Sequence, residues 1–321
     1  FCAVAVLLTG ALSMLYEVAW TRMLSLVVGS STYAFTIVLT IFLLGLAVGS
    51  LIYGFLYKPG RWQVSIRSLV LVLMLLACWV SLTVALIPRL PLAMLWMIQL
   101  PGSSFLRLLT FEAAMAGFLL FIPTVLLGAA LPMSISIISR ATGQMGRDVG
   151  GAYLVNTVGA IAGSLLTGFF LVPALGVRGA LMLGLGLNLA LVGVAVLAFS
   201  STIWRQMAGL TLIIALTLFS FAQPRWPAAV FDAGLHYQHN MTPAESPLDV
   251  ERRLNRYPSK LLFFKEGVNA TISVRRHNDA KTPFVNGKPD ASSVDDMPHQ
   301  VLLGLVAGLA HPKPQDVGIV G

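Results

Sequence analysis

The chain has 321 residues, of which 57% are hydrophobic and 11% charged, with a mean hydropathy of +0.83 and a formal net charge of +8. Soluble domains carry about 25% charged residues, so this composition excludes an ordinary soluble globular protein. The excess positive charge is made of isolated Arg and Lys between apolar runs, the pattern of loops beside membrane helices, and it excludes the clustered basic face of a nucleic-acid binder.

Apolar runs near the length of about 20 residues that a membrane helix needs lie at 1–20, 34–57, 68–88, 105–139, 152–173, 177–199 and 204–222. Seven spans are expected. The fourth run is long for one straight crossing, so it is expected to kink at Pro123 and Pro132, or to fold back and supply an eighth span. Residues 1–223 therefore read as a transmembrane helical domain whose first partner is the lipid bilayer, expected to be the bacterial inner membrane. This part holds only three acids, Glu17, Glu112 and Asp148, against ten basic residues.

Ionisable and polar groups inside spans are costly and are functional candidates. In the first span, "YEVAWTR" carries Glu17 and Arg22, which suit an ion pair or a polar pocket; alternatively Arg22 snorkels beside Trp20 while Glu17 pairs locally. Glu112 in the fourth span and Asn156 in "YLVNTVG" are expected to hydrogen-bond between helices. Gly45 and Gly49, like Gly159 and Gly163, stand four apart, which lets helix backbones approach closely. Packing within one bundle and a homodimer, or a contact within a membrane complex, both fit that spacing.

At residue 224 the composition changes. Residues 224–260 are rich in Pro and charge and read as an irregular connector. Thr271 to Val274 alternate as a half-buried strand, and Asn286-Gly287 signals a hairpin turn. A short helix, "MPHQVLLGLVAGLAH", follows. Residues 224–312 thus form a connector and small β unit with a helix, and residues 313–321 open a further domain. The run "SSVDDMPHQ" gathers Asp295, Asp296, His299 and Gln300 at the helix start, either as helix capping or as the mouth of a substrate pocket completed by a domain beyond this chain. Cys2 and Cys78 lie in apolar runs and have no metal-ligand spacing, and no metal site is expected. "VGIVG" ends at Gly321, where a strand of this type leads into a glycine turn and a cofactor-binding helix. The chain therefore reads as a piece of a longer protein.

The residues also carry a resemblance. "LTGALSMLYEVAWTRMLSLVVGSSTYAFTIVLTIFLLGLAVGSLIYGFL", "IPTVLLGAALP" and "GGAYLVNTVGAIAGSLLTGFFLVPALGVRG" resemble spans of the membrane-embedded spermidine-synthase-like family. In that family a major-facilitator-like membrane domain is fused to a polyamine aminopropyltransferase-like domain. "FFKEGVNATISV", "VNGKPDASSVDDMPHQVLLG" and "HPKPQDVGIVG" resemble its soluble part. The resemblance implies a mainly α, polytopic membrane helix bundle, then a small β unit and the first strand of a truncated Rossmann-like α/β domain. It also implies decarboxylated S-adenosylmethionine as cosubstrate of the full-length enzyme, with catalytic residues after Gly321 and this piece inactive alone. Soluble relatives carry a Tyr-Gln pair in an early strand and Tyr-His-Glu at the helix start; here "GVNATISV" and "MPHQ" stand, so His299 matches the histidine while Pro298 and Gln300 replace its neighbours. "GSLIYGFLYKPGR" resembles the cytoplasmic loop of major-facilitator proteins, which with seven spans puts the soluble part on the other side. Three functions fit: a membrane-anchored aminopropyltransferase-like protein, a non-catalytic membrane subunit or scaffold, and a transporter.

Overall fold

The computed structural model describes residues 1–56, 64–100, 104–200, 202–232 and 259–312, with single positions 234, 252, 315 and 316. The chain is mainly helical, with one small antiparallel sheet near its C-terminal end. Its long helices are α1 (Cys2–Val28), α2 (Thr32–Leu56), α3 (Ile66–Leu86), α5 (Phe105–Thr142), α6 (Met145–Leu166), α7 (Val172–Phe199) and α8 (Ile203–Ala222). Shorter ones are α4 (Leu90–Gln99), α9 (Ala228–Phe231) and α10 (Met297–Ala310). Among the described residues, six helical stretches are long and apolar enough to cross a membrane. Their outer faces are apolar as well: on α2, Leu43, Leu44, Leu51 and Phe55 are all exposed. That is a surface suited to lipid rather than to water.

The expected runs 152–173 and 177–199 belong to a single apolar stretch, Met145–Phe199. It does not run straight. Gly176 sits at φ 74 and ψ 169, outside the helical region and costly for any residue with a Cβ. The two arms on either side lie along α1 in opposite senses. Before the break, Gly159 and Gly163 meet the α1 backbone at Leu7 and Ala11. After it, Gly184 meets Leu15 and Tyr16, and Phe199 contacts Phe1 with ring centroids 5.4 Å apart. Among the described residues, α1, α2, α3, α5, α6, α7 and α8 each run between the two ends of the bundle. One end holds Phe1, the start of α3 and the α5–α6 turn, where Arg140 donates to the Val64 carbonyl at 3.3 Å. The other end carries the sheet.

α5 does not fold back. It is one continuous helix of 38 residues, capped at its start by Ser104 and at its end by Gly143 in the left-handed region. The helical conformation continues through Pro123 and Pro132. A proline removes the hydrogen bond to the carbonyl four residues earlier, here Leu119 and Gly128. Both carbonyls find donors on neighbouring helices. Trp79 Nε1 of α3 donates to Leu119 O at 3.1 Å, and Ser50 Oγ of α2 donates to Gly128 O at 2.9 Å. Neighbour-supplied donors of this kind make proline tolerable inside a membrane bundle.

The glycine pairs serve packing within this chain. A Cβ on Gly45 or Gly49 would overlap α5 at Thr124 and Val125, and one on Gly159 or Gly163 would overlap α1. The core between the helices centres on α1, where Tyr16 and Trp20 stack with centroids 5.1 Å apart, both fully buried.

The sheet has order β1-β2-β3-β4: β1 (Ser259–Glu266), β2 (Thr271–His277), β3 (Ala280–Val285) and β4 (Lys288–Pro289). Asn286 (φ 49) and Gly287 (φ 77) make the tight turn between β3 and β4 that their sequence announces. Within the stretch 224–260 read as a connector, α9 forms at Ala228–Phe231 and β1 begins at Ser259, and most of the residues between them lie outside the described residues. A register shift between Leu261 and Phe263 puts a bulge in β1, which breaks the alternation by which a strand is recognised. The strand expected in "VGIVG", residues 317–321, lies outside the described residues.

Close approach at the glycines yields a test. Gly163→Leu should destabilise the bundle by about 1–3 kcal/mol or more, because its side chain must displace α1 backbone. Gly186→Leu on α7, whose Cβ position faces open space, should be nearly neutral. Thermal melting of the detergent-solubilised proteins measures the difference, and equal melting of the two variants would contradict the α1–α6 contact.

Candidate functional site at the bundle–sheet junction

Three connections fasten the sheet to the end of the bundle. The first lies at Gly176. The helical arm that restarts there has unpaired N–H groups and the positive end of a helix dipole. Glu266, the last residue of β1, supplies the acceptor: its Oε2 receives the Val177 N–H at 2.7 Å. A Cβ at position 176 would overlap that carboxylate, so both the conformation and the space require glycine. Burial pushes the Glu266 carboxyl above its usual range, while the Val177 N–H and the Arg22 guanidinium pull it back down.

The second connection is Arg22 near the end of α1. Its Nη1 donates to Gly267 O at 3.4 Å, and its charge attracts Glu266. The third joins β2 to the segment after α8. Arg275 donates through Nε and Nη2 to both oxygens of Asp232, at 2.9 and 2.7 Å, and through Nη2 to Ala229 O at 2.7 Å. Both side chains are buried. Burial raises the Asp232 carboxyl and the Arg275 guanidinium opposes that rise. Trp226 Nε1 then ties the same segment to Val84 O of α3 at 3.2 Å.

Two cavities open between these connections. One, of about 400 Å³, lies between the ends of α1, α2 and α5 and the hairpin turns, and includes Arg22, Glu112, Asn269 and Asn286. The other, of about 600 Å³, lies around Gly176 and includes Arg178, Arg225, Glu266, Trp226 and Phe264. Arg178 donates to Gln223 O at 3.0 Å.

The residues singled out in the sequence divide between this junction and elsewhere. Arg22 and Glu112 line the first cavity. Arg22 and Glu17 form no ion pair with each other, and Glu17 is half-buried with no hydrogen bond or ion pair among the described residues. Glu112 is buried but hydrogen-bonds to no other helix among the described residues. Asn156 is half-buried beside Gly10 and likewise makes no hydrogen bond there; the interhelical amide bond comes instead from Asn188, fully buried, whose Nδ2 donates to Leu73 O at 3.0 Å. Asp295, Asp296, His299 and Gln300 sit together at the start of α10, away from both cavities. Asp296 occupies the cap position without a side-chain bond to the helix backbone, and accepts instead from Gln300 Nε2 at 2.8 Å, with His299 Nδ1 3.7 Å away. Gly321 lies outside the described residues. Among the described residues no group of His, Cys, Asp and Glu is arranged to hold a metal.

Sequence reasoning missed Glu266, Arg275 and Asp232. Their partners are 89 and 43 positions away along the chain, so no local pattern marks them.

Comparison with known proteins gives one distant relationship. The chain is 29% identical over 217 residues to Polyamine aminopropyltransferase 1 of Streptomyces coelicolor, an alignment that covers 67% of this chain and 37% of that protein. The chain thus spans little more than a third of that relative's length. No family model matches the chain, and no solved structure matches it.

The buried pair offers a direct check on how the sheet is held. Arg275→Met leaves the Asp232 carboxylate buried without its partner and should cost about 3–5 kcal/mol. Replacing both, as Arg275→Met with Asp232→Leu, should recover most of that loss. Melting of the single variant at the parent's temperature would contradict a buried pair.

Proposed function

We propose that this chain is the membrane-spanning, sheet-bearing part of an aminopropyltransferase-like membrane protein, crossing the bilayer seven times. The observation that carries the reading is the 29% identity over 217 residues to a polyamine aminopropyltransferase. The six apolar stretches, one of them doubled back at Gly176, support the membrane anchoring. In this reading the junction holds the β unit rigidly over one membrane face. The cosubstrate site belongs to a Rossmann-like domain that begins around residues 313–321. In aminopropyl transfer an amine nitrogen attacks the carbon next to the sulfonium of decarboxylated S-adenosylmethionine. A C–N bond forms, the C–S bond breaks with its electrons left on sulfur, and methylthioadenosine departs as the nitrogen loses a proton.

A second reading, a non-catalytic membrane subunit that keeps the synthase-like β unit as a binding module, is favoured by Pro298 and Gln300. They stand at the exposed start of α10 where soluble relatives place an aromatic hydroxyl and an acid.

Two assays separate these readings. Membranes bearing the longer reading frame should release methylthioadenosine when given decarboxylated S-adenosylmethionine and an amine acceptor. Residues 1–321 should show no calorimetric binding of that cosubstrate at micromolar concentration. Cosubstrate binding without turnover on any of putrescine, cadaverine or spermidine would favour the non-catalytic subunit. Binding by residues 1–321 would place the nucleoside site within this chain and overturn the division proposed here.

A further inference from the structure

A third cavity lies at the end of the bundle away from the sheet, and it gathers positive charge. It has about 430 Å³ and is bounded by the start of α3, the end of α7 and the start of α8. Val70, Ala195, Val196 and Phe199 give it apolar walls, and Arg67 and Arg205, both exposed, complete the lining. Among the described residues no Asp or Glu lines it. Each arginine stands in the first turn of its helix, where the positive end of the helix dipole disfavours a cation. Thr202 gives α8 no side-chain cap to offset that charge. The carbonyl end of α7 carries partial negative charge, but Gln206 Nε2 bonds to its Leu197 carbonyl at 3.2 Å. At the same end of the bundle, Asp148 accepts a hydrogen bond from Thr142 Oγ1.

Two cations beside an apolar recess call for an anion that carries hydrocarbon with it. Guanidinium groups pair with phosphate oxygens through two parallel N–H bonds, so a phosphate suits this pair of arginines. The surroundings narrow the choice. Almost none of α8 is covered by the other helices, and Ile203, Trp204 and Met207 expose apolar surface next to Arg205. In a membrane such a face meets acyl chains, and a tryptophan at a helix start suits the depth of the headgroups. We propose that this cavity is a binding site for an anionic phospholipid. Its phosphate lies between Arg67 and Arg205, and its acyl chains run along Phe199 and the uncovered face of α8. Inorganic phosphate would meet the same arginines but leave the apolar walls unfilled. Such a site rests on the membrane reading of this chain and is independent of the aminopropyltransferase-like one.

The test titrates the detergent-purified protein with phosphatidylglycerol and, separately, with phosphatidylcholine, and counts bound lipids by native mass spectrometry. The first phosphatidylglycerol should bind at least about tenfold more tightly than phosphatidylcholine. Arg67→Gln with Arg205→Gln should abolish that preference. Arg140→Gln with Arg147→Gln removes the same charge from the same end of the bundle but outside the cavity, and should retain it. Ser200→Trp fills the cavity and keeps both arginines; it should also abolish the preference, and it decides the matter if the first double variant fails to fold. Equal affinity of the parent for the two lipids, equal loss in both double variants, or displacement of the lipid by excess inorganic phosphate would each overturn the site. Equal lipid affinities in a protein that resists extraction from membranes by alkaline carbonate would remove the site and leave the membrane reading standing. Extraction by carbonate would remove the membrane reading and the lipid site with it.

Discussion

The contact between the Glu266 carboxylate and the Val177 N–H joins the break in the helix bundle to the sheet. The 55-residue apolar stretch Met145–Phe199 would rise roughly 80 Å as one helix, far more than the ~30 Å of a bilayer interior. The break at Gly176 turns it into two passes, and the break exposes N–H groups that need an acceptor. The sheet provides that acceptor from the end of β1. A hydrogen bond to a charged group of this kind contributes about 1.5–3 kcal/mol. It also fixes the position of the β1–β2 turn, whose Gly267 carbonyl then meets Arg22. The fold-back at Gly176 and the docking of the sheet thus meet at this residue pair, which Arg22 and the Arg275–Asp232 pair reinforce.

The same accounting of polar groups runs through the bundle. A lipid interior offers no water to satisfy a stray carbonyl. Pro123 and Pro132 each free one, and Trp79 and Ser50 each supply a donor from another helix. Thr124 and Ser134 turn their hydroxyls back onto α5, to Leu120 O at 2.8 Å and Ala130 O at 2.9 Å. Close contact at Gly49 and Gly163 brings α2 onto α5 and α6 onto α1. Against this background Glu112 is distinct, because it faces a cavity and has no internal partner among the described residues.

Much of the architecture can be read in the sequence because it rests on local signals. The apolar runs mark the passes, Asn286-Gly287 marks its turn, and "MPHQVLLGLVAGLA" marks α10. The Gly45/Gly49 and Gly159/Gly163 spacings mark helix contacts, though only the structure supplies their partners. Where the reading falls short, the cause is non-local. Gly176 looks like any of the many glycines in apolar helices until its φ is known. The bulge in β1 hides a strand inside "SKLLFFKE". Asn156 and Asn188 look alike in sequence, yet only Asn188 meets a carbonyl of another helix. At the candidate site, Glu112 and Arg22 stand out as charges in apolar runs, while Glu266, Asp232 and Arg275 come from polar stretches where charge is ordinary.

The membrane reading proposed above requires seven passes, with the sheet on the membrane face opposite the chain's first residue. Single cysteines introduced at Ser292 and at Gln144, after replacement of Cys2 and Cys78, allow this to be measured in sealed membrane vesicles with an impermeant thiol reagent. Seven passes predict that reagent outside the vesicle labels one of these two positions and spares the other. Equal labelling of both from the same side would contradict the fold-back at Gly176 and the docking of the sheet that depends on it.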